Sequence, residues 1–307
     1  MASKLKTMYV GGIVERDLEV FEQIKEFSKL NYNVKIVNLL KKGKFSVKYF
    51  KKKLKKYPIS LLMVKLYSED HNQKIYEAIH QYASGIPRVN SLKSVKTCES
   101  RRDTFQLIQR ECKKLKIPHT YYSINKALHA LEAGTPIIIK LDTHNIRNFS
   151  KYDRIIGVAY TPEEFREIIR KYDIENNVLF FQEYLGKFDI VYKVYIIDNY
   201  VQTITSQHLL QNGEPTPLEL IHMRVDIDSK LRRRLIRLGR KFGMSIFGVD
   251  YILKDGEAHI VDVNDFPSFR NIPEAVSLIS NFMHKILDAR ENLEKLPLSL
   301  KARTYMA

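Results

Sequence analysis

Residues 245–267 read Ser-Ile-Phe-Gly-Val-Asp-Tyr-Ile-Leu-Lys-Asp-Gly-Glu-Ala-His-Ile-Val-Asp-Val-Asn-Asp-Phe-Pro, and they contain two strand-like segments. Both halves are rich in β-branched and aromatic residues, which favour strands. An Asp-Gly pair, the strongest short signal for a tight hairpin turn, stands between them. We therefore predict a β-hairpin with strands over residues 246–253 and 258–263.

Three oxygen-bearing side chains follow the alternation of this hairpin. Strand side chains return to the same face at every second residue, so Asp250, Asp262 and Asn264 can project from one face. Carboxylate and amide oxygens suit a hard cation, and Mg²⁺ is commonly held by one or two carboxylates together with substrate phosphates. The pattern predicts a magnesium and nucleotide-phosphate site, while ordinary polar groups at strand ends would show the same spacing.

Length and composition set the broad class of the protein. The 307 residues are enough for two or three lobes, and 44% hydrophobic with 28% charged residues is typical of a soluble globular protein. Cys98 and Cys112 are too few for a disulfide framework or a cysteine-rich zinc site. The first residues lack the apolar core of a signal peptide, and no apolar run approaches membrane-spanning length. We expect a cytoplasmic protein without a transmembrane segment.

The net charge of +16 predicts an attraction to polyanions. Nucleic acid, an acidic membrane surface and a multiply phosphorylated small molecule all fit, and so does a lysine-rich solvated surface. Nine of the lysines fall between Lys41 and Lys56, where we predict a solvated helix face. No helix-turn-helix, zinc-finger or RNP-type sequence accompanies them, so a non-enzymatic nucleic-acid-binding protein is the remote alternative.

Several cationic side chains stand at or within predicted strands. Residues 1–90 alternate strands and helices, which indicates a parallel α/β layer, and Lys65 ends the third strand, at the sheet edge where ligands bind in open α/β folds. Lys140 ends a short buried strand, where it either reaches a phosphate or extends to solvent. Lys193 lies inside an apolar strand and needs an anion or a route to water.

Taken in order, these elements resemble the ATP-grasp superfamily. The resemblance rests on Lys140 at a strand end, on Gln182 to Leu185, and on the segments around Asp250 and Asp262. It implies a mixed α/β and α+β fold with an N-terminal parallel α/β domain over residues 1–94 and two ATP-grasp lobes over residues 95–186 and 187–307. The resemblance also implies ATP and two magnesium ions as cofactors. The implied contacts are Lys140 and Arg101 for the phosphates, Gln182, Glu183, Tyr184 and Leu185 for adenine, and Asp250, Asp262 and Asn264 for magnesium.

Within the superfamily, the motifs are most similar to inositol trisphosphate 5/6-kinases and inositol tetrakisphosphate 1-kinases. The similar segments are Lys65-Leu66, Arg101 at the start of its helix, Tyr192-Lys193-Val194-Tyr195 and residues 262–269. This resemblance implies a kinase that phosphorylates a hydroxyl of an inositol phosphate or a similar polyanionic small molecule. It assigns Lys65 and Lys193 to substrate or nucleotide phosphate and makes His144 a candidate substrate contact.

Carboxylate-amine ligases of the RimK and glutathione synthetase type are the alternative. They share the metal-binding hairpin, but usually have a glutamate where Asp262 stands and Ser-Pro-Gly after the asparagine. The sequence after Lys140, Leu-Asp-Thr-His-Asn-Ile-Arg-Asn, departs from both branches because it lacks their glycine-rich loop. Since an acyl phosphate forms whenever the phosphoryl acceptor is a carboxylate, the sequence leaves alcohol and carboxylate acceptors open.

Overall fold

The structure, a computed structural model, describes residues 7–147, 154–172, 178–207 and 222–295. The strands are β1 (Met8–Val14), β2 (Val34–Asn38), β3 (Ile59–Lys65), β4 (Thr120–Tyr121), β5 (Ile137–Leu141), β6 (Ile155–Ala159), β7 (Leu179–Glu183), β8 (Ile190–Ile197), β9 (Tyr200–Gln207), β10 (Arg224–Val225), β11 (Ile246–Lys254) and β12 (Glu257–Asp265). The helices are α1 (Leu18–Tyr32), α2 (Val47–Lys56), α3 (Asn72–Ala83), α4 (Leu92–Thr97), α5 (Arg101–Glu111), α6 (Ile124–Glu132), α7 (Pro162–Lys171), α8 (Ser229–Phe242) and α9 (Ala275–Lys295).

The first of two compact units contains the parallel sheet β2-β1-β3 and the helix α9 from the end of the chain. Gly11 and Gly12 lie within β1, where added Cβ atoms would come within 2.6 Å of Leu39 and 2.7 Å of Phe21. The two glycines therefore permit close packing over the sheet. Helix α9 packs on α1 through a buried hydrogen bond of 2.9 Å from the hydroxyl of Ser28 to that of Ser280.

Residues 47–56 of the lysine-rich segment form α2, as predicted, whereas its first lysines lie in a turn closed by pairing of Lys41 with Lys44. Phe50 is fully buried under the helix, whereas Lys48, Lys52 and Lys55 are exposed. The ammonium group of Lys51 lies 4.6 Å from the centre of the Tyr82 ring, where the π face attracts it. Helix α2 is therefore solvated on its lysine-rich face and packs through one aromatic residue.

The second unit consists of Tyr67–Asp70 and Asn90–Pro267 and contains two antiparallel sheets. Their strand orders are β4-β7-β5-β6 and β10-β9-β8-β11-β12. Helices α6 and α7 cover the first sheet through Leu131 and Phe165, and helices α5 and α8 cover the second. One sheet falls in each predicted ATP-grasp lobe, residues 95–186 and 187–307; this finer division stays a prediction.

A parallel sheet combined with antiparallel sheets confirms the predicted mixed fold class. Within the described ranges, no helix combines the length and the apolar character that crossing a lipid bilayer requires.

Candidate active site

The hairpin of β11 and β12 forms as predicted, because Asp255 and Gly256 supply the two turn residues. Both have positive φ angles, 52° and 73°, as a two-residue type I′ turn requires. The strands around the turn pair Lys254 with Glu257 and Asp250 with Asp262. Directly opposed residues share a sheet face, so the two carboxylates lie side by side.

The second sheet of the second unit has one apolar and one polar face. Val194, Val249 and Val263 form a row across β8, β11 and β12 and face the core beneath α5 and α8. The neighbouring row contains Lys193, Asp250 and Asp262, and therefore faces the other way. We call this opposite side the polar face.

A β-bulge shapes the edge of the polar face. The pairing shifts after Asp250, because Tyr251 pairs with Ile260 and leaves Val261 as an additional residue in β12. The carbonyl oxygen of Val261 accepts a hydrogen bond of 3.4 Å from Nζ of Lys140, which lies in β5. The bulge thus gives the lysine of one sheet a backbone acceptor on the other sheet.

Asp262 is the centre of the polar cluster. Its Oδ1 lies 2.6 Å from Nε2 of His144 and 3.5 Å from Nε of Arg101, and its Oδ2 accepts a hydrogen bond of 3.4 Å from Asn264. Burial alone raises the pKa of a carboxyl group, but the charges of His144, Arg101 and Lys140 hold the pKa of Asp262 well below its ordinary value. Asp262 is therefore ionised.

Lys140 is buried without a carboxylate bonded to it among the described residues. Its Nζ donates to Oε1 of Gln182 at 3.1 Å and to the carbonyl of Val261, both neutral oxygens. Burial, reinforced by the nearby charge of Arg101, lowers the pKa of Lys140 to about 8. The Nε2 atom of Gln182 is buried and has no hydrogen-bond partner within the described ranges.

Arg101 and His144 lie close together beside Asp262. Arg101 is the first residue of α5, and its Nη1 donates hydrogen bonds to the carbonyl oxygens of Leu141 and Thr143 at the end of β5. Burial and the charge of Arg101 lower the pKa of His144, whereas the charge of Asp262 opposes this shift. The Nδ1 atom of His144 is buried and, within the described part of the chain, unbonded.

Asp250 and Lys193 occupy the neighbouring positions on the polar face. Burial raises the pKa of Asp250 to about 6, and the charge of Asp262 adds to this rise, whereas the charge of Lys193 opposes it. The two carboxylates of Asp250 and Asp262 thus have widely separated acidities. With Asn264 they form a set of oxygens of the type that magnesium prefers.

The structure brings together eight of the predicted site residues in one unit: Arg101, Lys140, His144, Gln182, Lys193, Asp250, Asp262 and Asn264. Lys65 belongs to the other unit, where its Nζ is bound to Asp17 at 2.9 Å.

The remaining predicted adenine contacts, Glu183, Tyr184 and Leu185, continue from Gln182 at the end of β7 and are half-buried. The backbone N–H groups of Glu183 and Tyr184 donate to the carbonyl oxygens of His119 and Pro136.

Two features of the site were missed from the sequence. One is the carbonyl of Val261, because a bulge is a property of strand pairing. The other is Asp142, a buried carboxylate that accepts hydrogen bonds from the start of α5. The sequence signal for Asp142 was its position two residues after Lys140 and two residues before His144.

No protein-family model and no curated protein matches the sequence. Several solved structures are nevertheless similar to this chain in fold. A D-alanine–D-alanine ligase from Bacillus anthracis, complexed with ATP, has 13% identity and a TM-score of 0.64, and the match covers 98% of this chain and 100% of that one. A RiPP-associated ATP-grasp ligase from Chryseobacterium gregarium, in complex with ADP and a leader and core peptide, has 11% identity and a TM-score of 0.64 over 93% and 97%. The macrocyclase MdnC from Microcystis aeruginosa, bound with precursor peptide MdnA, has 14% identity and a TM-score of 0.60 over 92% and 100%. The chain therefore has the ATP-grasp fold.

Proposed function

We propose that this chain is an ATP- and Mg²⁺-dependent ligase that activates a carboxylate by phosphorylation and joins it to an amine. One observation carries the proposal. The carboxylates of Asp250 and Asp262 stand in register on the polar face, and the buried cationic groups of Lys140 and Arg101 approach that face from β5 and α5. The shared fold of ATP-grasp ligases supports the same conclusion.

The nucleotide side of the proposed site is built around Gln182 and Lys140. A buried amide nitrogen without a partner within the described ranges, Nε2 of Gln182, is suited to an acceptor atom of a bound base. We assign Gln182, Glu183, Tyr184 and Leu185 to adenine. Lys140 and Arg101 are assigned to the phosphates, because both are buried cationic groups whose partners include neutral backbone oxygens.

The proposed magnesium ligands are Asp250, Asp262 and Asn264. Their oxygens fit a hard cation, and Asp262 is held in the ionised form that metal binding requires. Bound magnesium would supply positive charge that neutralises phosphate oxygens. The expected number of ions, two, stays a prediction.

The proposed reaction has two steps. A carboxylate oxygen of the acceptor attacks the γ-phosphorus of ATP, and the bond to the β-phosphate oxygen breaks to release ADP. The amine nitrogen then attacks the carbonyl carbon of the acyl phosphate, phosphate leaves, and the amine proton passes to solvent. Lys140 and Arg101 would neutralise the transferring phosphoryl group, and Lys193, on the same face as Asp250, would orient the acceptor carboxylate.

The acceptor is proposed to carry negative charge. Lys193 and the net charge of +16 favour an acidic acceptor, and two of the structural neighbours were solved with peptides. An acidic peptide and a small polyanion are thus both candidate acceptors.

A kinase acting on an inositol phosphate or a similar polyanion is the second candidate. It is favoured by the resemblance of residues 192–195 and 262–269 to inositol phosphate kinases. The structural neighbours reported above are ligases or a macrocyclase, which favours amide formation. In the kinase reaction Lys65, Lys193 and His144 would orient the polyanionic acceptor. His144 lies 2.6 Å from Asp262, where it can also orient that carboxylate.

The test follows ATP consumption with Mg²⁺ against two acceptor pools, inositol polyphosphates and carboxylate–amine pairs that include acidic peptides, with products identified by mass. We expect ADP, free phosphate and a product lighter by one water than its two precursors. A product heavier by one phosphoryl group, without free phosphate, would replace the ligase with the kinase.

The Asp262→Asn variant tests the metal assignment. We expect ATP turnover to be lost while the protein remains folded. Asp255→Asn is the matched control, since it removes the same charge from the exposed turn of the same hairpin. Full activity of Asp262→Asn would remove the magnesium site from the proposal.

A further inference from the structure

Asp142 joins two elements of the site and has no role in the proposed chemistry. It follows β5 directly and is 8% exposed. Its Oδ1 accepts a hydrogen bond of 2.7 Å from the backbone N–H of Arg102, and its Oδ2 accepts one of 2.7 Å from the hydroxyl of Ser100. Both donors lie at the start of α5. A single buried carboxylate thus ties the end of a strand to the beginning of a helix.

The start of α5 depends on this connection. The first N–H groups of a helix have no partners within it. Here the N–H of Arg101 donates to the carbonyl oxygen of Asp142 at 2.9 Å, that of Arg102 donates to the Asp142 carboxylate, and that of Asp103 donates to Ser100. Asp142 provides the acceptors for the N–H groups of Arg101 and Arg102. Its carboxylate also accepts the hydrogen bond of the Ser100 hydroxyl group, which is the acceptor for Asp103.

The same connection fixes where Arg101 points. The backbones of Ser100 and Thr143 pair, and the N–H of His144 donates to the carbonyl oxygen of Glu99 at 2.8 Å. The Arg101 guanidinium therefore lies across the carbonyl groups at the end of β5, with its Nε 3.5 Å from Asp262. A helix start displaced by even 1 Å would move this guanidinium relative to the polar face.

We propose that Asp142 is a positioning residue, which sets the guanidinium of Arg101 in register with Lys140 and Asp262 for binding of nucleotide phosphates. Asp142 lies two residues from Lys140 and two residues from His144, so a single side chain aligns groups from two elements. The inference rests on the proposed function, since it assigns Arg101 to the nucleotide.

The first experiment measures the affinity for a non-hydrolysable ATP analogue with Mg²⁺, together with the melting temperature. We expect Asp142→Ala to weaken binding about tenfold or more, and Asp142→Asn, which keeps one acceptor for Arg102, to restore affinity to within about threefold of wild type. Asp103→Ala is the control, because it removes an exposed carboxylate from the same helical turn. A lower melting temperature with unchanged affinity in Asp142→Ala would overturn the proposal.

A double-mutant cycle separates positioning from a general loss of structure. If Asp142 acts through Arg101, the Asp142→Ala change causes no further loss of affinity in an Arg101→Ala background. Equal losses in both backgrounds would overturn the proposal. Should Asp142→Ala fail to fold, Ser100→Ala, which removes one of the two side-chain contacts, replaces it in the cycle.

A measurement without nucleotide keeps this inference separate from the proposed function. Hydrogen exchange at Nε–H of Arg101, followed by NMR, reports whether the buried guanidinium stays in place. We expect Asp142→Ala to accelerate this exchange about tenfold or more and Asp103→Ala to leave it unchanged. If wild type binds no ATP analogue, the proposed function fails, whereas unchanged exchange in Asp142→Ala overturns the positioning role.

Discussion

Two buried lysines, Lys65 and Lys140, illustrate how similar sequence positions acquire different chemistry. Each lies at or next to the end of a buried strand, and the two are 3% and 8% exposed. Lys65 donates to the carboxylate of Asp17 at 2.9 Å, so the chain provides its counter-charge. The hydrogen-bond acceptors of Lys140 in the described part of the chain, Gln182 and Val261, are neutral.

The difference shows that a buried cation is available to a ligand only where the fold does not provide its full counter-charge. Lys65 completes an ion pair in its unit, and this pairing outweighs the effect of burial and lowers the pKa of Asp17. Burial and the nearby charge of Arg101 disfavour the charged form of Lys140 and lower its pKa to about 8. A phosphate ligand would therefore relieve an electrostatic penalty at Lys140.

The largest expected effect concerns nucleotide binding. Lys140→Met should weaken the binding of an ATP analogue with Mg²⁺ about 100-fold, or about 2.7 kcal/mol, because a charge-assisted phosphate contact is lost. Lys65→Met, the matched change at the other strand end, should leave the affinity within about twofold. Calorimetric titration measures both. Equal losses in the two variants would show that Lys65 also contributes to nucleotide binding.

The second effect concerns stability. Lys65→Met should lower the free energy of unfolding by about 2 kcal/mol, because Asp17 loses its closest counter-charge. The loss stays below the value for a fully isolated pair, since Arg270 lies 3.4 Å from the same carboxylate. Asp17→Asn in the Lys65→Met background should recover most of this loss in urea denaturation. If the double variant is no more stable than Lys65→Met, the ion pair of Lys65 and Asp17 does not contribute to the free energy of unfolding.

The third effect concerns the stability cost of ionising Asp250. The pKa of Asp250 is about 6 in the folded protein, above its ordinary value of 3.8, so ionisation destabilises the fold. Asp250→Asn should therefore raise the free energy of unfolding by about 1–2 kcal/mol at pH 7.5 with metal chelated, although Lys193 then loses its anionic neighbour. The gain should shrink as pH falls from 6 to 4. A pH-independent gain would contradict an electrostatic origin.

The smallest effect is an alkaline one at Lys140. A lysine with a folded pKa of about 8, below its ordinary value of 10.5, is destabilising when charged, and this penalty disappears as pH rises from 8 to 10.5. Lys140→Met should thus be more stable than wild type by about 1 kcal/mol at pH 7, after the lost hydrogen bond to Gln182 is deducted. In thermal unfolding this advantage should disappear and then reverse towards pH 10.5, because the neutral lysine of wild type keeps its hydrogen bond to Gln182. If Lys140→Met is less stable than wild type at pH 7, the charge of Lys140 is compensated in the fold, as that of Lys65 is.

Much of the fold was predictable because the local signals agree with one another. The Asp255-Gly256 pair specifies a turn with positive φ at both residues, and alternation then places Asp250 and Asp262 on one face. The helix of Arg101 begins where the side chain of Ser100 supplies a cap, which is also a local interaction. Each signal acts over a few residues, so the sequence is sufficient to predict it.

The contacts of the site were less predictable, because they join residues far apart in the chain. His144 lies against Asp262, 118 positions further along the sequence, and Lys65 is bound to Asp17. The expected contacts of these two residues with substrate and phosphate stay predictions. Neither partner follows from strand or helix periodicity, since the pairing of distant segments decides both.

Local periodicity and turn chemistry are sufficient to predict the hairpin, the mixed fold class and the types of side chain that the site contains. Tertiary structure decided which charges are compensated. Burial and partners from distant elements set the acidities of Asp250, Asp262 and Lys140 and tie α5 to β5 through Asp142. Electrostatic energies depend on distance and on exclusion of water, and the folded chain fixes both.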